Sequence, residues 1–338
     1  MVKNKRIEWV DTAKGIGLLL VILGHLHTPY LSTWIYTFHM PLFFFLSGVV
    51  YSGRKYTFKE FLKKRIKSLV IPYFSLGFVI YLFYVVVNAV VSPSVGPYGS
   101  NLEMLKNFFV QKHFWTVWFL ACLFVVEVLY FWIDRLVREK NIIITMISVI
   151  ICMIGLILYR FGCAGLPWNI DIAMVAQFFF QIGYLFKTEK LAEVLFRQKK
   201  LGYMLTLSIT LCINVIAGIL CIRLSGSSLD MSVGLYGNEI LTFISAIAGI
   251  VFAILLSYQV HSRFFTYLGR NTMLIFSWHS RIVIVLCDYL YSYFGIFQTN
   301  DIISSFAYAV ITAIIVFLLL IPITEWIKKR KWHWIFGI

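Results

Sequence analysis

The sequence predicts an all-α, polytopic membrane bundle of about ten transmembrane helices, and three observations predict it. Hydrophobic residues make up 60% of the chain and charged residues only 13%. Soluble domains run near ~45–50% apolar and ~25% charged, so a soluble fold of 338 residues could not hide this much apolar surface. Apolar runs of about 18 residues or more recur along the whole chain, and each can cross a ~30 Å hydrocarbon core. The runs are continuous rather than alternating. Inside lipid, where each backbone group needs a partner within its own segment or a closed barrel, that pattern selects helices.

The ten expected spans run approximately from Thr12 to Tyr30, Trp34 to Ser52, Ser68 to Val91, Phe114 to Ile133 and Ile142 to Tyr159, then from Ile170 to Phe186, Leu201 to Leu224, Glu239 to Tyr258, Thr272 to Phe294 and Ile302 to Ile327. No internal repeat, soluble insert or low-complexity linker interrupts them, so residues 1–338 read as a single integral-membrane domain. Lys3, Lys5 and Arg6 before an apolar stretch look superficially like a signal peptide. Asp11 and Lys14 interrupt that approach, no small-residue cleavage site follows, and a second apolar run opens at Trp34, so the first run is expected to stay as a span.

Charge sets the orientation. With the N-terminus in the cytoplasm, the inner segments carry four Lys and Arg up to Lys14, seven from Arg54 to Lys67, three from Arg135 to Lys140, five from Lys187 to Lys200, two at Arg263 and Arg270, and four from Lys328 to Lys331. Those 25 of the 30 positives leave Lys106, Lys112, Arg160, Arg223 and Arg281 for outer segments or spans. The bias predicts both termini inside, in agreement with an even number of spans. It also accounts for the net charge of +15 without nucleic-acid binding. The six cysteines, Cys122, Cys152, Cys163, Cys212, Cys221 and Cys287, fall mostly in apolar runs without CxxC pairing and read as small apolar side chains.

Ionisable groups within spans are costly and mark functional positions by default. The first span carries Asp11, Lys14 and His25. Lys14 and His25 are three helical turns and roughly 16 Å apart on nearly one face, with Asp11 close to that stripe. Gly15, Gly17 and Gly24 let neighbouring helices approach there. Lys14 snorkelling to inner headgroups, with Asp11 as its ion-pair partner, is the structural alternative. The second span carries His39, Pro41 and Ser47, and places His39 at a depth close to that of His25. Pro41 frees a carbonyl and permits a kink beside the two histidines. Glu127 lies in the fourth span, His279 and Arg281 in the ninth, and Asn88, Gln177 and Gln181 add neutral polar groups. No HExxH, CxxC, GxxxxGK[ST] or GxSxG pattern occurs, which leaves out a zinc hydrolase, a P-loop ATPase and a serine-elbow hydrolase. What remains is a membrane cavity with His, Arg, Lys and carboxylates and no obvious protein nucleophile.

These residues resemble the acyltransferase family 3 of membrane O-acyltransferases. The opening Arg6-x4-Asp11-x2-Lys14-Gly15-Ile16, continuing to Gly24-His25, is similar to that family's basic-residue-x10-His motif, with Lys14 as the basic member. The segment from Phe38 to Gly48 is similar to its second-helix signature, and Lys64-Arg65-Ile66-Lys67 through Ile71-Pro72-Tyr73 to its basic stretch before an Ile-Pro-aromatic helix start. The family often has Arg-x-x-Arg there, where this chain has Lys64-x-x-Lys67. Trp118-Phe119-Leu120 and Leu268-Gly269-Arg270-Asn271-Thr272 to His279 also look like family features, and within the family the chain looks most like the branch of fucose O-acetylases of surface polysaccharides.

The resemblance implies an acetyl-coenzyme A donor on the cytoplasmic side, a carbohydrate hydroxyl as acceptor, a multi-pass protein of the plasma membrane, and His25 as leading catalytic residue, with His39 and Asp11 beside it. Acyl transfer from a thioester to a hydroxyl needs a base near neutral pH and hydrogen-bonding or positive groups at the developing oxyanion. Lys14, Lys64, Arg65 and Lys67 are the expected partners of the donor's phosphates, with positive-inside topology as the plain alternative for the basic run. Glu127, Trp118, His279 and Arg281 are expected on the substrate side, and no metal is expected. The rival class is a carrier or flippase, because buried charges in helix bundles equally mark transport pathways.

Overall fold

Hydrocarbon offers no water to backbone N–H and C=O groups, so a chain of this composition pairs them within each segment. The computed structural model is helical accordingly. It describes residues 7–26, 28, 30–90, 100–111, 116–137, 139–163, 165–226, 229–297 and 301–338. The expected start of the fourth span at Phe114, and Arg6 of the opening motif, lie outside the described residues.

In chain order the helices are α1 (Glu8–Gly24), α2 (Leu31–Tyr36), α3 (His39–Val50), α4 (Phe58–Arg65), α5 (Ile71–Val90), α6 (Asn101–Val110), α7 (Trp118–Leu136) and α8 (Asn141–Arg160), followed by α9 (Ile170–Thr188), α10 (Leu191–Phe196), α11 (Lys200–Ser225), α12 (Glu239–Gln259), α13 (Arg263–Arg270), α14 (Thr272–Trp278), α15 (Val285–Phe294) and α16 (Ile302–Lys328). Eight described segments are long and apolar enough to cross a bilayer: Leu31–Lys55, Phe58–Val90, Asn141–Arg160, Pro167–Thr188, Lys200–Ser225, Glu239–Gln259, Thr272–Phe294 and Ile302–Lys328. They occupy eight of the ten expected places. The other two places hold α1 and α7. α1 has only 17 residues and includes Glu8, Asp11 and Lys14, and α7 carries Glu127, Asp134 and Arg135. These two helices bring charge into the bundle.

α8, α9, α11, α12 and α16 begin and end within two residues of the expected spans. Three places differ, each for a local reason. The expected second span breaks at Thr37–Phe38 into α2 and α3. Pro41 therefore falls in the first turn of α3, where its missing N–H costs no helical bond, and not at a mid-helix kink. The third span opens early, at Phe58, behind a capping box of Thr57 and Glu60, and passes through a π-helical segment, Ile66–Val70. Pro72 follows that segment and cannot donate back to Ser68, so the wider turn sits where an α-helical bond is lost in any case. The ninth span contains a second π-helical segment, His279–Ile284, between α14 and α15.

Buried amide chemistry holds the break in place. Asn214 of α11 is fully buried; its Oδ1 accepts from Trp34 Nε1 at 2.5 Å, and its Nδ2 donates to Thr37 Oγ1 at 3.0 Å and to Ser245 O at 2.8 Å. Asn214→Leu removes these bonds and leaves the half-buried Trp34 indole N–H and the Ser245 carbonyl without that partner, at up to about 1–3 kcal/mol per orphaned group. The expected result is a clear drop in thermal stability in detergent. Equal melting of Asn214→Leu and the native protein would contradict this account of the break.

Glycines set two close helix contacts. A Cβ at Gly15 would strike the carbonyl of Phe265 on α13, and one at Gly269 on α13 would strike the carbonyl of Asp11 on α1. The same reciprocity joins α3 and α9, where Gly48 meets Phe180 O and Gly183 meets Phe45 O. Small residues let backbones approach where lipid supplies no hydrophobic driving force between helices. α1 and α3 thus sit in the middle of the bundle, while α8, α11 and α16 carry outward apolar stripes such as Ile142, Met146, Ile150, Met153 and Ile157 on α8. At the basic end, Arg54 donates from Nε (3.1 and 3.0 Å) and Nη2 (2.8 Å) to the buried carboxylate of Asp134, tying the loop after α3 to α7.

Candidate active site

Three histidines and a tyrosine converge at the end of the bundle away from most of the basic residues. α1 ends at Gly24, so His25 caps the helix and its ring turns toward α14. The His25 and His279 rings lie 5.0 Å apart between centroids. His25 Nδ1 lies 3.4 Å from the Tyr36 hydroxyl, and the Tyr36 ring stands 4.9 Å from that of His39. The break at Thr37–Phe38 and the π-helical segment beginning at His279 turn these rings into one cluster.

Backbone contacts fix two of the tautomers. His39 Nδ1–H donates to Ile35 O at 2.9 Å, and His279 Nδ1–H to Phe276 O at 2.8 Å. A carbonyl can only accept, so in the neutral ring the proton sits on Nδ1 and the lone pair on Nε2. His279 Nε2 is buried with no hydrogen-bond partner among the described residues. An imidazole held this way is ready to accept a proton or a hydrogen bond from a hydroxyl.

The cluster borders a chamber of about 480 Å³, the histidine chamber. Trp118, Thr116, Ser280 and Arg281 line it, and Asp230, Ser232 and Asp288 sit toward the loops. Asp230 Oδ1 accepts from Ser232 N at 2.8 Å and Oγ at 2.6 Å, and Asp288 Oδ1 accepts from Tyr308 Oη at 2.7 Å. The Nε of Arg281 is buried without a hydrogen-bond partner among the described residues.

A second chamber of about 280 Å³ lies on the basic side, lined by Lys14, Ser47, Arg65, Ser68, Glu127 and Arg270. Arg65 forms an ion pair with the buried carboxylate of Glu127. A wider cleft of about 990 Å³ adjoins it, sharing Arg270 and Gly337, and adds His261, Arg263, Lys328 and His333. Asp11 accepts from Arg270 Nε at 2.9 Å, so its observed ion-pair partner is on α13.

The structure brings His25, His39, Trp118 and Arg281 to one chamber, with His279 buried behind them against His25, and Lys14, Arg65 and Glu127 to the other. It does not bring Asp11 to the histidines. Fourteen helical residues, about 21 Å of rise, separate Asp11 from His25. Lys64 and Lys67 line neither chamber. Lys64 Nζ donates to Tyr56 Oη at 2.9 Å, which holds that phenol below its usual range, and Lys67 Nζ lies 5.2 Å from the Trp334 ring centre. Reading the sequence alone missed Tyr36, Asp230, Ser232 and the cleft cations His261, Arg263, Lys328 and His333. Tyr36 reads as one more interfacial aromatic. The others sit in loops or at helix ends, where the positive-inside pattern already accounts for the cations.

A family model described as an acyltransferase domain, Acyl_transf_3, matches residues 7–325. The nodulation protein NolL of Mesorhizobium japonicum is similar, 31% identical over 130 residues, which cover 34% of this chain and 33% of NolL. The match thus spans about a third of that curated relative. No solved structure matches the chain. With nearly its whole length matched to the family model and its described spans helical, the chain belongs to acyltransferase family 3 and is a multi-pass membrane protein.

Proposed function

We propose that the protein transfers an acetyl group from acetyl-coenzyme A, bound on the cytoplasmic side, to a hydroxyl of a surface carbohydrate on the other side of the plasma membrane. The observation that carries this reading is the stacking of two chambers along α1, one basic and one lined by histidines. The cleft cations Arg263, Arg270, Lys328 and His333 suit a donor with several phosphates, with Lys14 and Arg65 further along its path and Lys64 and Lys67 at the nearby surface. Trp118 offers an apolar face to a sugar ring, while Asp230, Ser232 and Asp288 suit its hydroxyls.

In the reaction the acceptor hydroxyl attacks the thioester carbonyl. A C–O ester bond forms, the C–S bond breaks, the hydroxyl proton passes to the His25 imidazole, and the imidazolium returns that proton to the departing thiolate. Arg281 is the group that can meet the oxyanion formed between those steps. In this reading both termini lie in the cytoplasm, as the positive-inside bias favours. A cysteine introduced at Ser94, outside the described residues, is expected to react with an impermeant reagent added outside, and one at Gln198 only after permeabilisation; the reverse pattern would overturn the orientation.

A carrier that moves the glycan without chemistry remains the rival, since a chamber on each side of one axis also suits transport. Mass spectrometry of surface glycans from cells with and without the gene separates the two. Loss of ester-linked acetyl groups with the glycan still present at the surface supports transfer; loss of the glycan itself supports the carrier.

A further inference from the structure

A layer of three phenylalanine rings separates the two chambers. Phe43 of α3, Phe119 of α7 and Phe276 of α14 form a triangle, with ring centres 5.9 Å apart for Phe43 and Phe119, 6.0 Å for Phe43 and Phe276, and 5.6 Å for Phe119 and Phe276. These are the separations at which tilted aromatic pairs attract. The same helices serve both sides of the layer. α1 gives Lys14 to the basic chamber and Val21 and His25 to the histidine chamber, α3 gives Phe43 and Met40, and α7 gives Phe119 and Trp118. Phe276 itself lines both. The rings therefore stand across the line that joins the chambers.

Resting on the transfer reading above, the geometry points to a function for this layer: Phe43, Phe119 and Phe276 form the constriction through which the thioester end of the donor reaches the histidines, and it selects the acyl group by size. A short acyl chain passes when one ring turns aside. A longer chain must displace at least two rings packed against buried neighbours. Phe43 has little freedom, because a single methyl group added at Gly17 would come within 3.1 Å of its ring edge. Phe119 is braced by Phe44 at 5.0 Å. Phe276 is coupled to the chemistry, since its own carbonyl accepts the Nδ1–H of His279. The closed layer also keeps water and cytoplasmic solutes from the histidine chamber, which protects the thioester from hydrolysis.

The test compares acetyl, butyryl and hexanoyl thioesters of coenzyme A as donors for the native protein and for Phe43→Ala, Phe119→Ala and the double variant. Native protein is expected to favour acetyl over hexanoyl by at least tenfold in kcat/KM. The alanine variants are expected to reduce that preference tenfold or more, with faster thioester hydrolysis in the absence of acceptor. An unchanged acetyl-to-hexanoyl ratio in variants that still transfer acetyl overturns the selection claim. A second measurement does not depend on activity. Ser280→Cys, in a background lacking the native cysteines, is treated with an impermeant thiol reagent from the basic side of oriented vesicles. Labelling is expected to be slow with the three rings intact and at least tenfold faster in Phe43→Ala/Phe119→Ala. Equal rates overturn the barrier itself. Absence of transfer by the native protein with every thioester would instead overturn the transfer reading.

Discussion

His25→Ala is expected to insert and fold normally and to lose acyl transfer by at least ~10²-fold, the lower range for a positioned acid–base group. Its ring lies 5.0 Å from that of His279 and near the Tyr36 hydroxyl, and it lines the chamber together with His39. The fold has little stake in it, since α1 ends at the preceding residue and the capping bonds come from the backbone. His25→Gln is not expected to rescue activity, because an amide can hydrogen-bond but cannot take a proton near neutral pH. His39→Ala and His279→Ala each break a buried bond to a backbone carbonyl, so their losses are expected to include stability as well as rate. Steady-state rates beside melting curves separate the effects. Near-normal transfer by His25→Ala, with loss in His39→Ala or His279→Ala, would move the catalytic assignment to another histidine.

Arg65→Met is expected to destabilise the folded protein by about 3–5 kcal/mol, because it strands the Glu127 carboxylate in the bundle without its cation. Adding Glu127→Gln removes the stranded charge, so the double variant is expected to regain most of the lost stability. The pair thereby separates structure from function. If Arg65 also meets a donor phosphate, the refolded double variant keeps a raised KM for the donor while the KM for the acceptor changes little. A double variant with native stability and native donor KM would confine Arg65 to its ion pair. Failure of Glu127→Gln to restore stability would contradict the pairing itself.

Much of the fold was legible because lipid leaves few alternatives. Continuous apolar runs such as those of α8, α11 and α16 can only be helices, and their ends follow where polar residues resume. The breaks were harder to read. Nothing near Thr37 announces the end of α2, because the amide that pins it, Asn214, lies 177 residues further along. The histidine cluster was legible in part. His25 and His39 line one chamber from neighbouring segments, a proximity that counting residues along the two expected spans suggests. His279 was expected on the substrate side, nearer mid-span. Its contact with His25 depends on a π-helical segment, a local rewinding that periodicity cannot register. Asp11 illustrates the reverse. Spacing places it near the Lys14 stripe, but Arg270, brought against it by the glycine contacts of α1 and α13, holds it at the basic end.

The central claim is that this bundle moves an acyl group from a thioester to a hydroxyl through His25. The most direct test places purified protein in lipid vesicles with radiolabelled acetyl-coenzyme A and an acceptor glycan, and follows thiol release, glycan ester formation and glycan flux in one reaction. The account predicts ester formed in step with thioester consumed, both requiring acceptor and both lost in His25→Ala. Glycan crossing the membrane with the thioester untouched would contradict it.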